Sequence, residues 1–296
     1  MRDWTLNTDG MLRISLMGGQ ARAFLIDSTC MVQEAKRLHK LSRVATAALG
    51  RLLTGASIMG SMLKDGSTTV YMKGGGPLGT VLAVAKSDGS VKGYVDDPFV
   101  ELPLKENGKL DVGKAVGTDG KLTVIKDMGL KEPYVGMVNL QSGEVGDDLA
   151  MYFTASEQTP SLVSLGVLTA DEVVAAGGLI VQIMPGCSEI ALKSIENSIP
   201  MCMNISATIR DLGLDGTYQD LLSHLEPEIL ERMKPAYRCD CNRDRFDRGL
   251  ISLGRTELQA MIDEDHGAEL NCQFCNISYR YTEEQLRALL AQAKNA

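Results

Sequence analysis

Four cysteines crowd one end of the chain: Cys239 and Cys241 in "YRCDCNRDRF", and Cys272 and Cys275 in "LNCQFCNISY". A CxC and a CxxC pair offer four thiols at two short spacings, and four thiolates are the ligand set of a closed tetrahedral zinc site. The two-residue turn of CxxC points both sulfurs inward, and CxC wraps a metal more tightly. Four sulfurs leave no open coordination position, so a zinc ion held here would not activate water; it would hold a fold together or act as a switch. Unliganded thiols and a thioredoxin-like redox pair are the other uses of such a set. The redox pair expects a strand before Cys272 and a helix after it in a βαβ setting, which the surrounding residues do not suggest.

Such a site would carry a net charge of about −2, and Arg238, Arg243 and Arg245 beside the first pair are candidates to offset it, although a solvated charged face explains each of them singly. The tail that holds the cysteines is roughly 60 residues long, a size at which a hydrophobic core alone is marginal. Structural zinc supplies about 10–16 kcal/mol of apparent binding free energy, comparable to the whole stability of such a unit. Oxidation would commit the sulfur lone pairs that hold the metal, and the tail would lose its staple. Thiolates beside arginines remain nucleophilic toward peroxide-type oxidants, so the site is fit to sense oxidation.

The remaining chemistry-bearing residues fare worse. "GGGPLG" matches G-x-G-x-x-G at Gly74, Gly76 and Gly79, with Asp96 about twenty residues on. A dinucleotide site needs a helix after that motif, and "TVLAVA" continues as strand. Cys30, Cys187 and Cys202 stand alone and read as buried small apolar residues. Of His39, His224 and His266, only the last is near the cysteines, and it reads as a loop residue. The 15 methionines could line adaptable apolar surface, though core packing accounts for most.

The elements that must carry these residues follow from pattern. The 296 residues suffice for one sizeable core and a smaller appendage. "TTVYMKGGGPLGTVLAVAKSDGSVKGYV" reads as antiparallel hairpins broken by Gly-rich and Asp-Gly turns. Helices are expected over about Gln33 to Met62, Asp147 to Ser156, and Ser161 to Ala176, the last ending on a glycine pair suited to a C-cap. Val44 to Leu63 has Arg51 as its only charge, and with its Ala, Gly, Ser and Thr content it reads as a helix buried in the core, not a membrane span.

Strands and helices come in blocks, so the fold class is α+β: an N-terminal mixed sheet-and-helix core domain over 1–185, a helical linker over 186–231, and a small C-terminal zinc-binding redox-switch domain over 232–296. The linker, between Pro185 and Pro235, shows helical spacing at Ile205, Ile209 and Leu212, and at Tyr218, Leu221, Leu222 and Leu225. The tail shows two short helical patterns, Phe246, Leu250, Leu253 and Leu258, Met261, Ile262. Thr282 to Gln285 reads as a capping box opening a last helix with Leu286, Leu289 and Leu290 inward.

The net charge of −8, pI near 5.1 and 5% aromatic content argue against a nucleic-acid partner. The opening "MRDWTLNTDGMLRISLMGG" has no apolar run that could serve as a signal peptide, so the protein is expected in the cytoplasm, where thiols stay reduced.

With these residues in place, the chain resembles the bacterial heat shock protein 33 family. The likeness rests on "GGGPLG", "GYVDDP", "SGEVGDDLAMYFTASEQTPS", "GGLIVQIMPG", "CDCNRDRF" and "AELNCQFCNISY". It implies an ATP-independent holdase chaperone, not an enzyme, that binds unfolded or partly folded client proteins under oxidative stress. In the reduced state one zinc ion would sit on Cys239, Cys241, Cys272 and Cys275. Oxidation would eject it and pair Cys239 with Cys241 and Cys272 with Cys275, leaving the linker and tail without order and the protein as a homodimer. Cys30, Cys187 and Cys202 are not family ligands, and a thiol near the linker could form mixed disulfides. A zinc module for docking to other molecules and a thiol-disulfide oxidoreductase are the competing functions; no membrane or nucleic-acid partner is expected.

Overall fold

In the computed structural model, residues 8–293 are described, so the first seven residues of the opening stretch, on which the absence of a signal peptide partly rested, lie outside them. The chain forms two compact units, one ending at Arg238 and the other beginning at Cys239.

The first unit starts with a strand pair, β1 (Gly10–Leu16) and β2 (Ala21–Asp27), followed by α1 (Thr29–His39) and α2 (Arg43–Ser61). The single helix expected from Gln33 onward is therefore two. Lys40 adopts a left-handed φ of 51° that ends α1, and Ser42 restarts the chain by accepting a hydrogen bond from the Ala45 N–H at 3.2 Å. From Val44 to Ser61 every residue of α2 except Arg51 is buried, as its composition predicts. β3 (Ser67–Lys73), β4 (Thr80–Lys86) and β5 (Val91–Val95) are the expected hairpins. "TVLAVA" is β4, and Asp96 accepts the Thr80 N–H at 2.7 Å, so the residue that would have gripped a ribose closes a turn.

After α3 (Val112–Val116) come β6 (Lys121–Asp127), β7 (Tyr134–Asn139) and α4 (Val145–Ala155), then β8 (Ser161–Thr169) and β9 (Val173–Ile183). The helix expected over Ser161 to Ala176 is thus a correction: the segment is one strand and the start of the next. β8, which makes up most of that segment, sets Leu162 beside Val163 and Val167 beside Leu168, so it lacks the alternation that marks a half-exposed strand. The glycine pair Gly177-Gly178 caps nothing. Gly177 pairs with Gly166 across the two strands, and a Cβ on Gly166 would meet Ser206 Oγ at 2.5 Å while one on Gly177 would meet Ile209 Cδ1 at 2.2 Å. The absent side chains let a helix lie directly on the sheet.

That helix belongs to the connector, which comprises α5 (Glu189–Cys202), α6 (Ile205–Leu222) and β10 (Glu228–Met233). All sheets are antiparallel: β10-β1-β2-β9-β8 makes one five-stranded sheet and β5-β4-β3-β6-β7 the other. The first sheet has two buried faces. Met11, Phe24 and Ile26 join the main core with α1 and α2, while Leu12, Ile14, Leu16 and Leu25 pack under Ile195, Ile205, Ile209 and Leu221 of the connector. Leu212, expected inward with Ile205 and Ile209, is 48% exposed. Gly213, at φ 66° and ψ −174°, breaks α6 and resets its phase there.

The second unit contains α7 (Arg243–Leu253), α8 (Arg255–Asp263), the hairpin β11 (Gly267–Asn271) and β12 (Ser278–Thr282), and α9 (Glu283–Leu290). The capping box forms: Thr282 Oγ1 accepts the Gln285 N–H at 3.3 Å, and Gln285 Oε1 accepts the Thr282 N–H at 3.1 Å. Its core is small, built on Leu250, Leu258, Ile262, Tyr281 and Leu286. The fold class is α+β, as the sequence indicates.

Candidate metal centre

Cys239 and Cys241 lie on the irregular segment leading into α7, which Asn242 opens by accepting the Arg245 N–H at 2.9 Å. Cys272 follows β11, and Cys275 sits in the loop that returns as β12. The Cys272 N–H donates to Ile277 O at 3.0 Å, the Asn276 N–H donates to Cys272 O at 2.8 Å, and Asn276 takes a left-handed φ of 57°. The hairpin register, Asn271 opposite Ser278, thereby folds the CxxC into a tight knuckle.

The four sulfurs lie within 4.8 Å of one another, with Cys239 Sγ to Cys272 Sγ at 3.6 Å and Cys241 Sγ to Cys275 Sγ at 3.3 Å. Zinc–sulfur bonds of about 2.3 Å imply sulfur–sulfur edges of about 3.8 Å in a tetrahedron. The donor set therefore fits a zinc ion in number, chemistry and spacing. All seven cysteines are described, and none is in a disulfide.

Burial pushes the Cys239 thiol up to about 11 and raises that of Cys275, since taking a thiolate out of water is costly. Burial acts on Cys241 too, but the hydrogen bonds from Tyr279 and the neighbouring thiols outweigh it, and its thiol falls below the ordinary range. Tyr279 Oη is 3.3 Å from Cys241 Sγ, and holding that sulfur pushes the phenol up to about 12. The Tyr279 ring lies on Phe246 of α7, centroids 4.5 Å apart.

The arginines are engaged elsewhere. Arg238 approaches Asp88 at 3.9 Å, and Arg245 pairs with Asp240 at 3.4 Å. Arg243 donates to Gln285 Oε1 at 2.8 Å with its guanidinium 4.4 Å over the Tyr281 ring. A polar neighbour of the sulfurs is Tyr279, which sequence reasoning missed; its place in the strand returning from the CxxC was the available signal. His266 stays outside the cluster, near Glu283 at 3.7 Å. Cys202 is buried as expected, but Cys30 and Cys187 are partly exposed. His39 meets Tyr237 Oη at 3.2 Å and His224 meets Ser198 Oγ at 2.7 Å.

A two-sheet core, a connector of two helices and a strand, and a cluster of four cysteines that could hold a metal ion define a two-unit α+β protein with a thiol-based site, and comparison with known proteins narrows that class. The profile described as "Hsp33 protein" matches residues 9–282. The 33 kDa chaperonin of Clostridioides difficile (strain 630) is 46% identical over 288 residues, covering 96% of this chain and 99% of that one. The 33 kDa chaperonin of Alkaliphilus metalliredigens is also 46% identical over 288 residues, with 95% and 98% covered. The crystal structure of the 33 kDa chaperonin (heat shock protein 33 homolog) from Thermotoga maritima matches with a TM-score of 0.87 and 36% identity over 96% of this chain and 98% of that one. The chain belongs to the Hsp33 protein family, whose members here carry the name of chaperones. Among the described residues no helix is long and apolar enough to cross a membrane.

Proposed function

We propose that this protein is a redox-regulated, ATP-independent holdase of the cytoplasm, built as a core domain over 1–185, a linker over 186–231 and a zinc-binding switch domain over 232–296. The observation that carries the reading is the layered first sheet. Its apolar outer face, with Leu12, Ile14, Leu25 and Leu179, is covered by the connector, and the connector runs directly into the segment that bears Cys239.

In the reduced state Cys239, Cys241, Cys272 and Cys275 hold one zinc ion, whose binding supplies the stability that the small core of the switch domain lacks. Peroxide then takes two electrons from each pair of thiolates: sulfur–sulfur bonds form, oxygen–oxygen bonds break, and zinc leaves as the divalent ion. The pairing follows the family resemblance, Cys239 with Cys241 and Cys272 with Cys275. All four sulfurs are close enough in the structure that the distances do not choose among pairings. Without its staple the switch domain loses order, the connector lifts, and the sheet face becomes available to unfolded or partly folded clients. The oxidised protein is a homodimer in this reading.

The test adds peroxide at raised temperature to reduced, zinc-loaded protein while recording zinc release and the aggregation of an unfolding client. Suppression should appear as zinc leaves. Zinc loss with no gain in suppression would sink the proposal.

A further inference from the structure

The Tyr279 hydroxyl sits 3.3 Å from Cys241 Sγ, held there from two directions. Its strand is fixed by pairing with Leu270 across the hairpin, and its ring is stacked on Phe246 at 4.5 Å with an interplanar angle of 32°. A thiolate bound to a cation has lone pairs to offer and no proton, so in the loaded site the phenol donates and the sulfur accepts. Hydrogen bonds to ligating groups tune metal affinity, and one that occupies a thiolate lone pair lowers the electron density with which that sulfur attacks an oxidant.

We infer that Tyr279 is a positioning residue that sets how fast peroxide opens the four-sulfur site, by restraining the Cys241 sulfur. This rests on the proposed zinc–thiolate reading. In the restrained step the Cys241 sulfur attacks one peroxide oxygen; the sulfur–oxygen bond forms, the oxygen–oxygen bond breaks, and the other oxygen leaves as hydroxide. A second thiolate then displaces hydroxide from the sulfenic sulfur, forming the sulfur–sulfur bond. Two thiolates have lost two electrons, and with two protons the peroxide has become two waters. Tyr279 acts on the first step and so governs the second.

Tyr279→Phe keeps the ring against Phe246 and removes the hydroxyl alone. The experiment uses the full-length reduced chain loaded with zinc, first measuring bound zinc and then following its release by peroxide with a chromogenic chelator. Release should accelerate about tenfold, the lower end of what losing an outer partner of a metal ligand costs in affinity. Peptide mapping of early time points should show Cys241 oxidised earlier in the variant than in the wild type, a shift that a merely structural ring would not cause. Phe246→Leu, which leaves the hydroxyl but loosens its wall, should accelerate release less, and serves if the first variant loads poorly. Wild-type protein that holds no zinc would overturn the four-thiolate reading beneath the inference. Loaded wild type with an unchanged or slower rate in both variants would overturn the inference alone.

Discussion

The phenol of Tyr237 is bonded at two points to the backbone of Gly93: it accepts the Gly93 N–H at 3.3 Å and donates to the Gly93 carbonyl at 2.8 Å. His39 Nε2 lies 3.2 Å from the same oxygen. The flanking backbone joins in, the Val91 N–H donating to Ala236 O at 3.0 Å and the Arg238 N–H to Val91 O at 2.9 Å. The chain is thus tied to β5 of the second sheet just after β10 has paired with β1 of the first.

Removing that hydroxyl tests the tie. Tyr237→Phe leaves Gly93 without its side-chain partner and should cost about 1–3 kcal/mol, the penalty for groups left unsatisfied in a partly buried place. Faster amide exchange at Gly93 and Arg238, with the zinc content of the protein unchanged, is the expected result. Unaltered exchange there would show that the backbone pairing alone holds the segment.

Arg51, the one charge between Val44 and Ser61 of α2, predicts a second cost. Its Nη1 meets Glu144 Oε2 at 2.6 Å, and Lys105 Nζ meets Glu144 Oε1 at 2.7 Å. Glu144→Gln keeps the shape but leaves two cations facing a neutral amide. The side chains of Arg51 and Glu144 are about a fifth exposed, so the loss should be about 1–3 kcal/mol, below that of a fully buried pair. A urea titration measures it, and a midpoint within error of wild type would refute it.

Asp9 gives a pH dependence. Its two carboxylate oxygens accept the Cys30 and Met31 N–H groups at the start of α1, each at 2.7 Å, yet burial pushes its acid up to about 7, with the charge of Asp27 adding to the rise. A carboxyl in the unfolded chain titrates near about 4, so between these values the folded state binds the extra proton. The Asp9 contribution to stability is therefore full below about 4 and is lost as pH rises through about 7. Cys30 and Thr8 also lie at this corner, and Thr29 holds the Asp27 carboxylate. Wild type should lose more stability from pH 5 to pH 8 than Asp9→Asn does, as read by denaturant titration at both values; equal losses would count against it.

Removing metal should act on one unit. The core of the second unit is small, so a strong chelator applied to reduced, zinc-loaded protein should abolish amide protection in α7, α8 and α9 while the strands of the first unit keep theirs. Protection that persists in α9 after chelation would show that the small core suffices without metal.

What the sequence revealed was short-range. The capping box at Thr282, the hairpin turns after Lys73 and Lys86, and the two cysteine pairs all depend on neighbours a few residues apart. The errors arose where distant partners decide. β8 packs against α2, α4 and α6 as well as β9, and a strand covered on both sides need not alternate. Gly177 looked like a cap because its real reason, the approach of Ile209, lies some thirty residues further along the chain. The break at Lys40 uses a left-handed residue that is not glycine, and the sequence carries little mark of it. Tyr279 became visible as a sulfur partner once the hairpin register placed it beside Cys241.

Gly166 offers a way to lift the connector without touching a thiol. A Cβ at this position would come within 2.5 Å of Ser206 Oγ, 2.8 Å of Ser206 Cβ and 3.1 Å of the Ser206 nitrogen, all in the first turn of α6. Gly166→Ala must therefore push that turn away from β8, and overpacking of this kind costs about 1–3 kcal/mol. The strain falls on the connector, because the nearest atoms belong to it and not to the sheet's own strands. In the proposed function, lifting α6 is the consequence of oxidation, so the variant should bind a hydrophobic dye and suppress client aggregation while still reduced and zinc-loaded. Far-UV circular dichroism should show the strands retained. If the variant is displaced at α6, as amide exchange in its first turn would report, and yet neither binds dye nor suppresses aggregation, then the covered face of the first sheet is not the surface that clients use.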